Sequence, residues 1–359
     1  MGKDKLENLR ERIRAKDRQI VSLLNARASL CVEIGRLKDQ EGWEIYDPGQ
    51  EVRVLEYLMR LNEGPLSHNA LKDIYREIIS TSRALQAPIS VAYLGPEASF
   101  SHLAVLSHFG RAAALLPQAT ISDVFTFVEK GRVQLGVVPV ENSLEGSVKQ
   151  SLDRLVSTPL SIRAEIYLRI THTLVSTCEH LQGIKRIYSH PQALAQSRGW
   201  LARHAPLASL VEVESTAGAA RRALEDGEGA AVGSELLAET YGLRILSQGI
   251  EDHPLNTTRF FVIGQGQGAA SGEDKTSIAF GTPHVPGGLH RALESFARMG
   301  INLTRIESYP AKDRMWEYLF FVDFLGHIEQ PEIAQCLEEL KGKTTFFKFL
   351  GSYPRGGQS

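Results

Sequence analysis

The sequence predicts a multidomain protein with three modules: an all-α helical module, a two-lobed α/β module and an α+β module with ferredoxin-like topology. Three changes of pattern along the chain predict this. Apolar residues recur at helical spacing up to about residue 87. Short apolar strands then alternate with helical segments up to residue 263. A strand–helix–strand–strand–helix–strand order follows a glycine-rich stretch. We therefore expect modules at residues 1–87, 89–263 and 275–355.

The composition excludes several classes of protein. The chain has 359 residues, of which 43% are hydrophobic and 23% charged, and its formal net charge is −2. A near-neutral charge argues against general nucleic-acid binding. Three cysteines far apart disfavour a disulfide framework or a structural zinc site. The N-terminus lacks the apolar segment of a secretion signal, and no apolar run approaches membrane-spanning length. We expect a cytoplasmic protein that is not associated with a membrane.

The first module is expected to contain three helices, one of them long. A helix over residues 4–38 is predicted by apolar residues at three-, four- and seven-residue steps. A second helix begins at Asp47 and Pro48 and runs to about Leu61, and a third spans about 67–86. A small module cannot cover the apolar stripe of the long helix by itself, so we expect a partner helix or a second subunit.

Polar residues on these helices form pairs that share a face. Arg27 and Lys38 are eleven residues apart, about three turns, so they point to almost the same side and suit an anion between them. Arg10 is rotated roughly a quarter-turn away and would more easily serve a neighbouring subunit. Two further pairs are four residues apart: Asp47 with Glu51, and Ser82 with Gln86. The alternative interpretation is a solvated helical surface.

Residues 5–87 resemble the all-helical chorismate mutase family, an intertwined helical dimer. The positions that match in order and spacing are Arg10, Arg27, Lys38, Asp47, Glu51, Ser82 and Gln86. The family commonly has arginine where this chain has Gln50. The resemblance implies that Lys38 and Gln86 donate to the ether oxygen of chorismate and that Glu51 accepts from its hydroxyl. The matching residues that remain would bind the substrate: Arg10, Arg27, Asp47 and Ser82.

In the second module, polar clusters recur where predicted strands end, which is where α/β sheets bind ligands. Each cluster alone could be a turn or a helix cap. Together they make residues 89–263 resemble prephenate dehydratase. The matching motifs are Gly95-Pro96 with Ser99-Phe100-Ser101, Val138-Pro139-Val140-Glu141-Asn142-Ser143, Ser189-His190-Pro191-Gln192 with Gln196, Glu214-Ser215-Thr216-Ala217, Tyr241-Gly242-Leu243, and Thr258-Arg259-Phe260.

That resemblance implies loss of carbon dioxide and hydroxide from prephenate to give phenylpyruvate. Thr258 would hydrogen-bond or protonate the leaving hydroxyl, acting as a relay because a threonine is a poor acid. Arg259 would anchor the pyruvyl carboxylate. Neutral donors for orientation would be Asn142, Ser189 and Gln196, and the carboxylates that order the cleft or hold a proton would be Glu141 and Glu214.

The glycine-rich stretch 264–272 is predicted to be a flexible linker. The third module contains the motifs Pro286-Gly287-Gly288-Leu289-His290 and Ile301-Asn302-Leu303-Thr304 with Glu307-Ser308-Tyr309-Pro310. Through them it resembles an ACT domain of the phenylalanine-sensing type, which implies phenylalanine as an allosteric effector. The family usually has alanine at Gly288 and arginine at Tyr309. The alternative is a dimerising domain without a ligand. The effector-binding residues implied by the matching motifs are Gly287, Gly288, Leu289, His290, Glu307 and Ser308.

The three resemblances imply a bifunctional enzyme that converts chorismate to prephenate and prephenate to phenylpyruvate, under feedback inhibition by phenylalanine. They imply a homodimer or higher homo-oligomer and no metal or organic cofactor. Two alternatives stay open. One is a monofunctional dehydratase whose helices serve only for dimerisation, with Gln50 marking the loss of mutase activity. The other is a two-lobed binding or sensory protein.

Overall fold

A computed structural model describes residues 2–310 and 318–357. The helical module consists of α1 (Gly2–Glu41), α2 (Pro48–Leu61) and α3 (His68–Gln86). The side chain of Asp47 accepts from the backbone N–H of Gln50 at the start of α2, and Ser67 accepts from Ala70 at the start of α3. The predicted long helix, the Asp47 cap and the end of α2 near Leu61 are confirmed.

The α/β module has two lobes, as predicted. The first lobe contains β1 (Ser90–Leu94), α4 (Phe100–Phe109), β2 (Ala114–Gln118), α5 (Ile121–Glu129), β3 (Leu135–Asn142), β4 (Gly146–Ser147), α6 (Lys149–Ser157) and β5 (Ser161–Arg169). The second contains β6 (Thr173–Ser176), β7 (Arg186–Ser189), α7 (Pro191–Gln196), α8 (Arg198–His204), β8 (Ser209–Glu212), α9 (Thr216–Glu225), β9 (Gly229–Gly233), α10 (Leu236–Tyr241) and β10 (Arg244–Gln248). The last strand, β11 (Thr257–Gly264), returns to the first lobe.

The strand order explains how the lobes are joined. The first sheet runs β2-β1-β3-β11-β5, with β4 paired to β3, and the second runs β10-β6-β9-β7-β8. The chain therefore crosses between the lobes twice, from β5 to β6 and from β10 to β11. The alternating pattern of residues 160–175 predicts a half-buried strand. These residues instead form β5 and β6 in different lobes, with residues 170–172 between them.

The third module has the predicted ferredoxin-like order. Its elements are β12 (Asp274–Gly281), α11 (Gly288–Arg298), β13 (Leu303–Pro310), β14 (Tyr318–Leu325), α12 (Pro331–Gly342) and β15 (Phe346–Pro354). The sheet order is β13-β14-β12-β15, and the two helices pack on one face of it through Phe296, Phe324 and Cys336. The apolar pattern predicts a strand over 316–324, and the first two of those residues lie outside the described part of the chain.

The other face of this sheet packs directly on the first α/β lobe. One apolar core contains Val138 and Phe261 from the lobe together with Phe321, Leu350 and Tyr353 from the ferredoxin-like module. The backbones also approach closely, because a Cβ atom at Gly351 would lie 2.4 Å from the carbonyl oxygen of Ile162. Adjacent residues on a strand point to opposite faces, which lets both faces of the sheet be buried.

The glycine-rich stretch between these modules is hydrogen-bonded to all three of them. Arg53 of α2 donates to the carbonyl of Ala270 at 3.4 Å, and His327 contacts the carbonyl of Gly268 through Nε2 at 3.1 Å. Arg163 of β5 donates to the carbonyl of Gln265. Composition alone predicted a flexible linker, but these contacts hold it against the protein. Within the described residues, none of the helices is both long and apolar enough to cross a membrane.

Candidate active sites

The first candidate site lies between α1 and α3, close to the start of α2. Arg27 Nη1 donates to Ser82 Oγ at 2.5 Å, which joins two of the predicted residues. Lys38 Nζ donates to the carbonyl oxygens of Glu44 and Ile45, at 3.0 and 3.2 Å. The cations expected from helical spacing are therefore oriented before any substrate binds.

Gln86 lies where α3 approaches Gly35 of α1 closely. A Cβ atom at Gly35 would meet the Cβ and Cγ atoms of Gln86 at 2.9 Å, so a glycine is needed for this approach. The Oε1 atom of Gln86 is buried and has no hydrogen-bond partner among the described residues. A buried amide without partners is costly unless a ligand supplies them. Rotating the amide by half a turn would present Nε2 at the same place.

Glu51 is the carboxylate of this site, and its surroundings change its acidity. Burial raises the pKa of Glu51 to about 7, and the nearby Asp47 adds to this, while Arg83 and Lys38 oppose it. Arg83 Nη1 lies 3.2 Å from Glu51 Oε1. The pKa of Glu51 therefore lies near neutral pH. Its partner Arg83 was not among the residues predicted from the sequence.

Two predicted mutase residues lie apart from this group. Arg10 is exposed and ion-paired with Glu7 at 3.3 Å. At 1.5 Å per residue, it is about 25 Å along α1 from Arg27, which is too far to share a pocket in the same chain. Asp47 caps the N-terminus of α2, because its carboxylate accepts a hydrogen bond from the backbone N–H of Gln50.

The second candidate site is a cleft of about 310 Å³ between the two α/β lobes. A chain of amide and hydroxyl contacts crosses it. Asn142 Nδ2 lies 2.9 Å from Thr258 Oγ1 and 2.8 Å from Asn256 Oδ1. Asn256 Nδ2 donates to Gln196 Oε1 at 3.1 Å, and Gln196 also contacts His172 Nε2 at 2.8 Å. The cleft is lined by polar groups from both lobes, including Ser99, Asn142, His172, Gln196, Glu214, Ser215 and Thr258.

Thr258 has the geometry of a hydrogen-bond donor into this cleft. Its oxygen accepts from Asn142, so its hydroxyl hydrogen can be directed at a ligand. Burial lowers the pKa of His172, which favours its neutral form. The site therefore presents neutral donors around Thr258, with Glu214 as a carboxylate in its lining.

Two residues expected in the cleft, Glu141 and Arg259, lie on the opposite face of the sheet. Thr258 pairs in register with Asn142, and Arg259 pairs with Glu141, so the two pairs point in opposite directions. Glu141 Oε2 contacts Arg305 Nε at 2.9 Å, and both are directed toward the ferredoxin-like module. The expectations that Arg259 anchors a pyruvyl carboxylate and that Glu141 orders the cleft are therefore corrected.

Ser189 also differs from its expected role. Its side chain is fully buried, and the hydroxyl donates to the carbonyl of Val232 at 2.6 Å. This contact ties the end of β7 to β9, which holds the second lobe together. Two residues that the sequence did not predict for the cleft, His172 and Asn256, lie in its hydrogen-bonded chain through Gln196. The Asn256-Thr257-Thr258 run was a signal for Asn256, whereas nothing in the motif spacing indicated His172.

A third, smaller cavity of about 260 Å³ lies at the start of α11. It is lined by the predicted residues Gly287, Gly288, Leu289 and His290, with Tyr318 and Phe320 from β14. Glu307 and Ser308 do not reach it within this chain. Glu307 ion-pairs with Arg305 and contacts Ser147 of the α/β module, and Ser308 is exposed.

Fold and sites together define a multidomain enzyme with two separate substrate sites and a third module packed behind the second site. Family models for chorismate mutase type II, prephenate dehydratase and the ACT domain match residues 9–87, 91–268 and 276–342. A bifunctional chorismate mutase/prephenate dehydratase from Aquifex aeolicus is 46% identical over 356 residues, which is 98% of each chain.

Two solved structures match the part of the chain beyond the helical module. The prephenate dehydratase from Arthrobacter aurescens in complex with L-Phe has 35% identity and a TM-score of 0.68, covering 74% of this chain and 90% of that one. A structure described as GqqA, a novel type of quorum quenching acylase, has 32% identity and a TM-score of 0.67, covering 74% and 97%.

The chain belongs to the bifunctional chorismate mutase/prephenate dehydratase family. It carries both enzyme activities, on the helical and the two-lobed module respectively.

Proposed function

We propose that the helical module rearranges chorismate to prephenate in the pocket that contains Arg27, Lys38 and Gln86. The rearrangement is intramolecular, so the protein needs to hold the folded conformer and stabilise charge on the ether oxygen. Arg27 binds a carboxylate, while Lys38 and Gln86 donate to the ether oxygen. The buried, unpartnered amide oxygen of Gln86 supports a ligand at this position. Ionised Glu51 accepts from the substrate hydroxyl, and Ser82 holds Arg27 in place.

Arg10 serves the pocket of a second copy of the chain. This proposal is supported by its distance from Arg27 and by the exposure of α1. Its N-terminal half is exposed throughout, and the large apolar side chains on α1 that face solvent are Leu6, Leu9, Ile13, Ile20, Val21, Leu23, Leu24, Leu30, Ile34 and Leu37. A stripe of this length in water is unfavourable, and a partner helix would cover it. A homodimer therefore completes each mutase pocket with Arg10 of the other chain.

The dehydratase reaction takes place in the interlobe cleft, with Thr258 donating to the leaving hydroxyl of prephenate. The single observation that carries this assignment is the contact of Asn142 with Thr258 Oγ1, because it directs the hydroxyl hydrogen outward. Gln196 and Asn256 orient the substrate through neutral contacts. The ring carboxylate can then leave as carbon dioxide, since the described residues that line the cleft include no lysine or arginine to hold it. Glu214 is the carboxylate available to hold a proton.

Phenylalanine is the proposed effector, bound in the cavity beside Gly287 and Gly288. A related prephenate dehydratase was crystallised with L-Phe, and the cavity of about 260 Å³ suits a small amino acid. In this chain the loop leaves no room for a side chain at Gly288, because a Cβ atom there would lie 2.6 Å from the carbonyl oxygen of Pro283. The cytoplasmic location stays a prediction from the sequence.

Supplying chorismate and prephenate separately to the purified chain tests the assignment of the two reactions to the two modules. Chorismate loss and phenylpyruvate formation should both be measurable, and chemical blocking of one site should leave the other active. Conversion of prephenate without any consumption of chorismate would show that the helices serve only for dimerisation. Consumption of chorismate without formation of phenylpyruvate would show that the interlobe cleft does not carry out the dehydratase reaction.

A further inference from the structure

Arg83 is a buried cation at the junction of the helical and α/β modules. It belongs to α3 of the helical module, but its Nη2 atom donates to the carbonyl of Phe109 in the α/β module at 2.7 Å. Its Nη1 atom lies 3.2 Å from Glu51 Oε1. The guanidinium carbon is 5.3 Å from the centre of the Phe109 ring and 6.0 Å from that of Tyr46. One side chain therefore contacts the mutase carboxylate and the neighbouring module.

The contact with Phe109 has a structural reason. Phe109 is the last residue of α4, and the carbonyls of a final helical turn lack intrahelical partners. The helix macrodipole also makes this end favourable for a cation. Gly110 brings α3 close, since a Cβ atom there would lie 2.5 Å from the Cβ of Ser80. The α/β module thus holds the Arg83 guanidinium by a hydrogen bond on one side, and Glu51 lies at ion-pair distance on the other.

Glu51 is surrounded by few charged groups. Arg83 approaches it from α3 and Lys38 from α1, while Asp47 lies at the start of its own helix, α2. Tyr46 is a neighbouring buried phenol whose hydroxyl contacts His108 Nε2 at 2.7 Å. Lys38 already donates to two backbone carbonyls. The fixed position of Arg83 therefore makes it the main positive group acting on Glu51.

We propose that Arg83 is a positioning residue for the chorismate mutase reaction, which keeps Glu51 oriented and ionised and is itself held by the dehydratase domain. This inference rests on the role of Glu51 proposed above. It makes the mutase pocket dependent on the C-terminal end of α4, a segment outside the helical module.

The test uses pH profiles of the mutase kcat/KM in the full-length protein. Arg83→Gln retains a donor for the Phe109 carbonyl and removes the charge, so protonation of Glu51 should occur at higher pH. We expect the acidic midpoint of the profile to rise by about one pH unit, which is a tenfold change in the proton equilibrium. Activity lost at neutral pH should return at alkaline pH. Arg83→Lys keeps a cation and should restore most of the wild-type midpoint.

The dehydratase rate, measured on the same preparations, reports whether the chain is folded. Arg83→Met keeps an unbranched side chain against the Tyr46 and Phe109 rings, and it replaces Arg83→Gln if that variant does not fold. A loss of mutase activity that is equal at every pH would indicate a purely structural role and would overturn the inference. So would an unchanged midpoint in a folded neutral variant.

Glu51→Gln separates this inference from the proposal on which it rests. Normal turnover of chorismate by Glu51→Gln would remove Glu51 from the mechanism, and Arg83 would then have no catalytic group to position. If Glu51→Gln is inactive and Arg83→Gln shows the wild-type profile, the role of Glu51 stands and that of Arg83 is wrong.

Discussion

Arg259 follows Thr258 directly on β11, but its guanidinium lies behind the sheet and contacts Asp323 of the ACT domain at 2.5 Å. Arg259 is also paired with Glu165 at 2.7 Å, and Lys275 of the ACT domain contacts the same carboxylate at 2.7 Å. All four side chains are buried, and the two cations balance the two anions. These ion pairs therefore bind the strand that carries Thr258 to the ACT domain. Separating them inside the protein would leave unpaired buried charges, which is strongly destabilising.

Replacing Asp323 tests this fastening. Removing one partner of a buried ion pair costs about 3–5 kcal/mol, and we expect Asp323→Asn to fall in this range because Glu165 alone would then face both Arg259 and Lys275. Denaturant unfolding measures this loss. The dehydratase rate should fall as well, while the mutase rate stays unchanged. Glu239→Gln is the control, since its ion pair with Arg111 is exposed and should contribute little. Equal stability of the two variants would contradict the prediction.

Thr258→Val removes the hydroxyl and keeps the branched shape of the side chain. We expect the dehydratase rate to fall by about 100-fold or more, the size of one lost proton-transfer partner. Prephenate should accumulate from chorismate while the mutase rate is unchanged. Thr257→Val is a matched control, because Thr257 is adjacent on the strand and does not line the cleft. Phenylpyruvate formation at the normal rate by Thr258→Val would exclude Thr258 from the reaction.

Lys38→Ala tests the mutase pocket. Loss of one oriented donor to the ether oxygen should raise the barrier by about 2–4 kcal/mol, seen as a lower kcat for chorismate. The dehydratase rate should not change. Lys16→Ala removes a lysine from an exposed position of the same helix and should leave both rates near normal. A near-normal chorismate turnover in Lys38→Ala at neutral pH would contradict the assignment.

The pH dependence of the wild-type mutase follows from Glu51. Its pKa is raised to about 7 by burial, so the ionised fraction increases as the pH rises through that value. We expect kcat/KM for chorismate to increase from pH 5.5 to about 8, since this parameter reports ionisations of the free enzyme. Glu51→Gln cannot ionise and should show no such rise. The prediction is wrong if wild-type kcat/KM is constant across this range.

Mixing two inactive variants tests the sharing of pockets between chains. Arg10→Ala and Lys38→Ala chains, once exchanged into mixed dimers, should form one pocket that has both groups. Some mutase activity should therefore return. A mixture that is no more active than the separate variants, after subunit exchange is verified, would show that Arg10 does not complete the pocket of the other chain.

The sequence predicted the elements well where local rules decide them. The cap at Asp47, the long α1 and the ferredoxin-like order follow from side-chain chemistry and periodicity, which act over a few residues. A ligand site between the strands of the α/β module was predicted because polar residues follow several of its apolar strands. The assignment of both Thr258 and Arg259 to that cleft neglected the alternation of a strand, which was already visible in the sequence.

Other features depend on contacts between distant segments and had no local signal. Arg83 resembles any helix arginine until α4 is placed beside it, and its partner there is a backbone carbonyl, which every sequence contains. The glycine-rich stretch looks like a linker, but its carbonyls accept hydrogen bonds from arginine and histidine side chains elsewhere. The break of residues 160–175 into two strands depends on the division into lobes rather than on composition.

The apolar core common to the dehydratase lobe and the ACT sheet determines which parts of this enzyme can be inherited or exchanged separately. Severing the chain within 264–272 would leave Phe261 facing water on one fragment and Phe321 and Tyr353 on the other. Chimaeric enzymes that take these two domains from different sources would have to match both halves of that interior. Substitutions on one side of the interface should be accompanied by compensating substitutions on the other. The two domains should therefore evolve as a single unit.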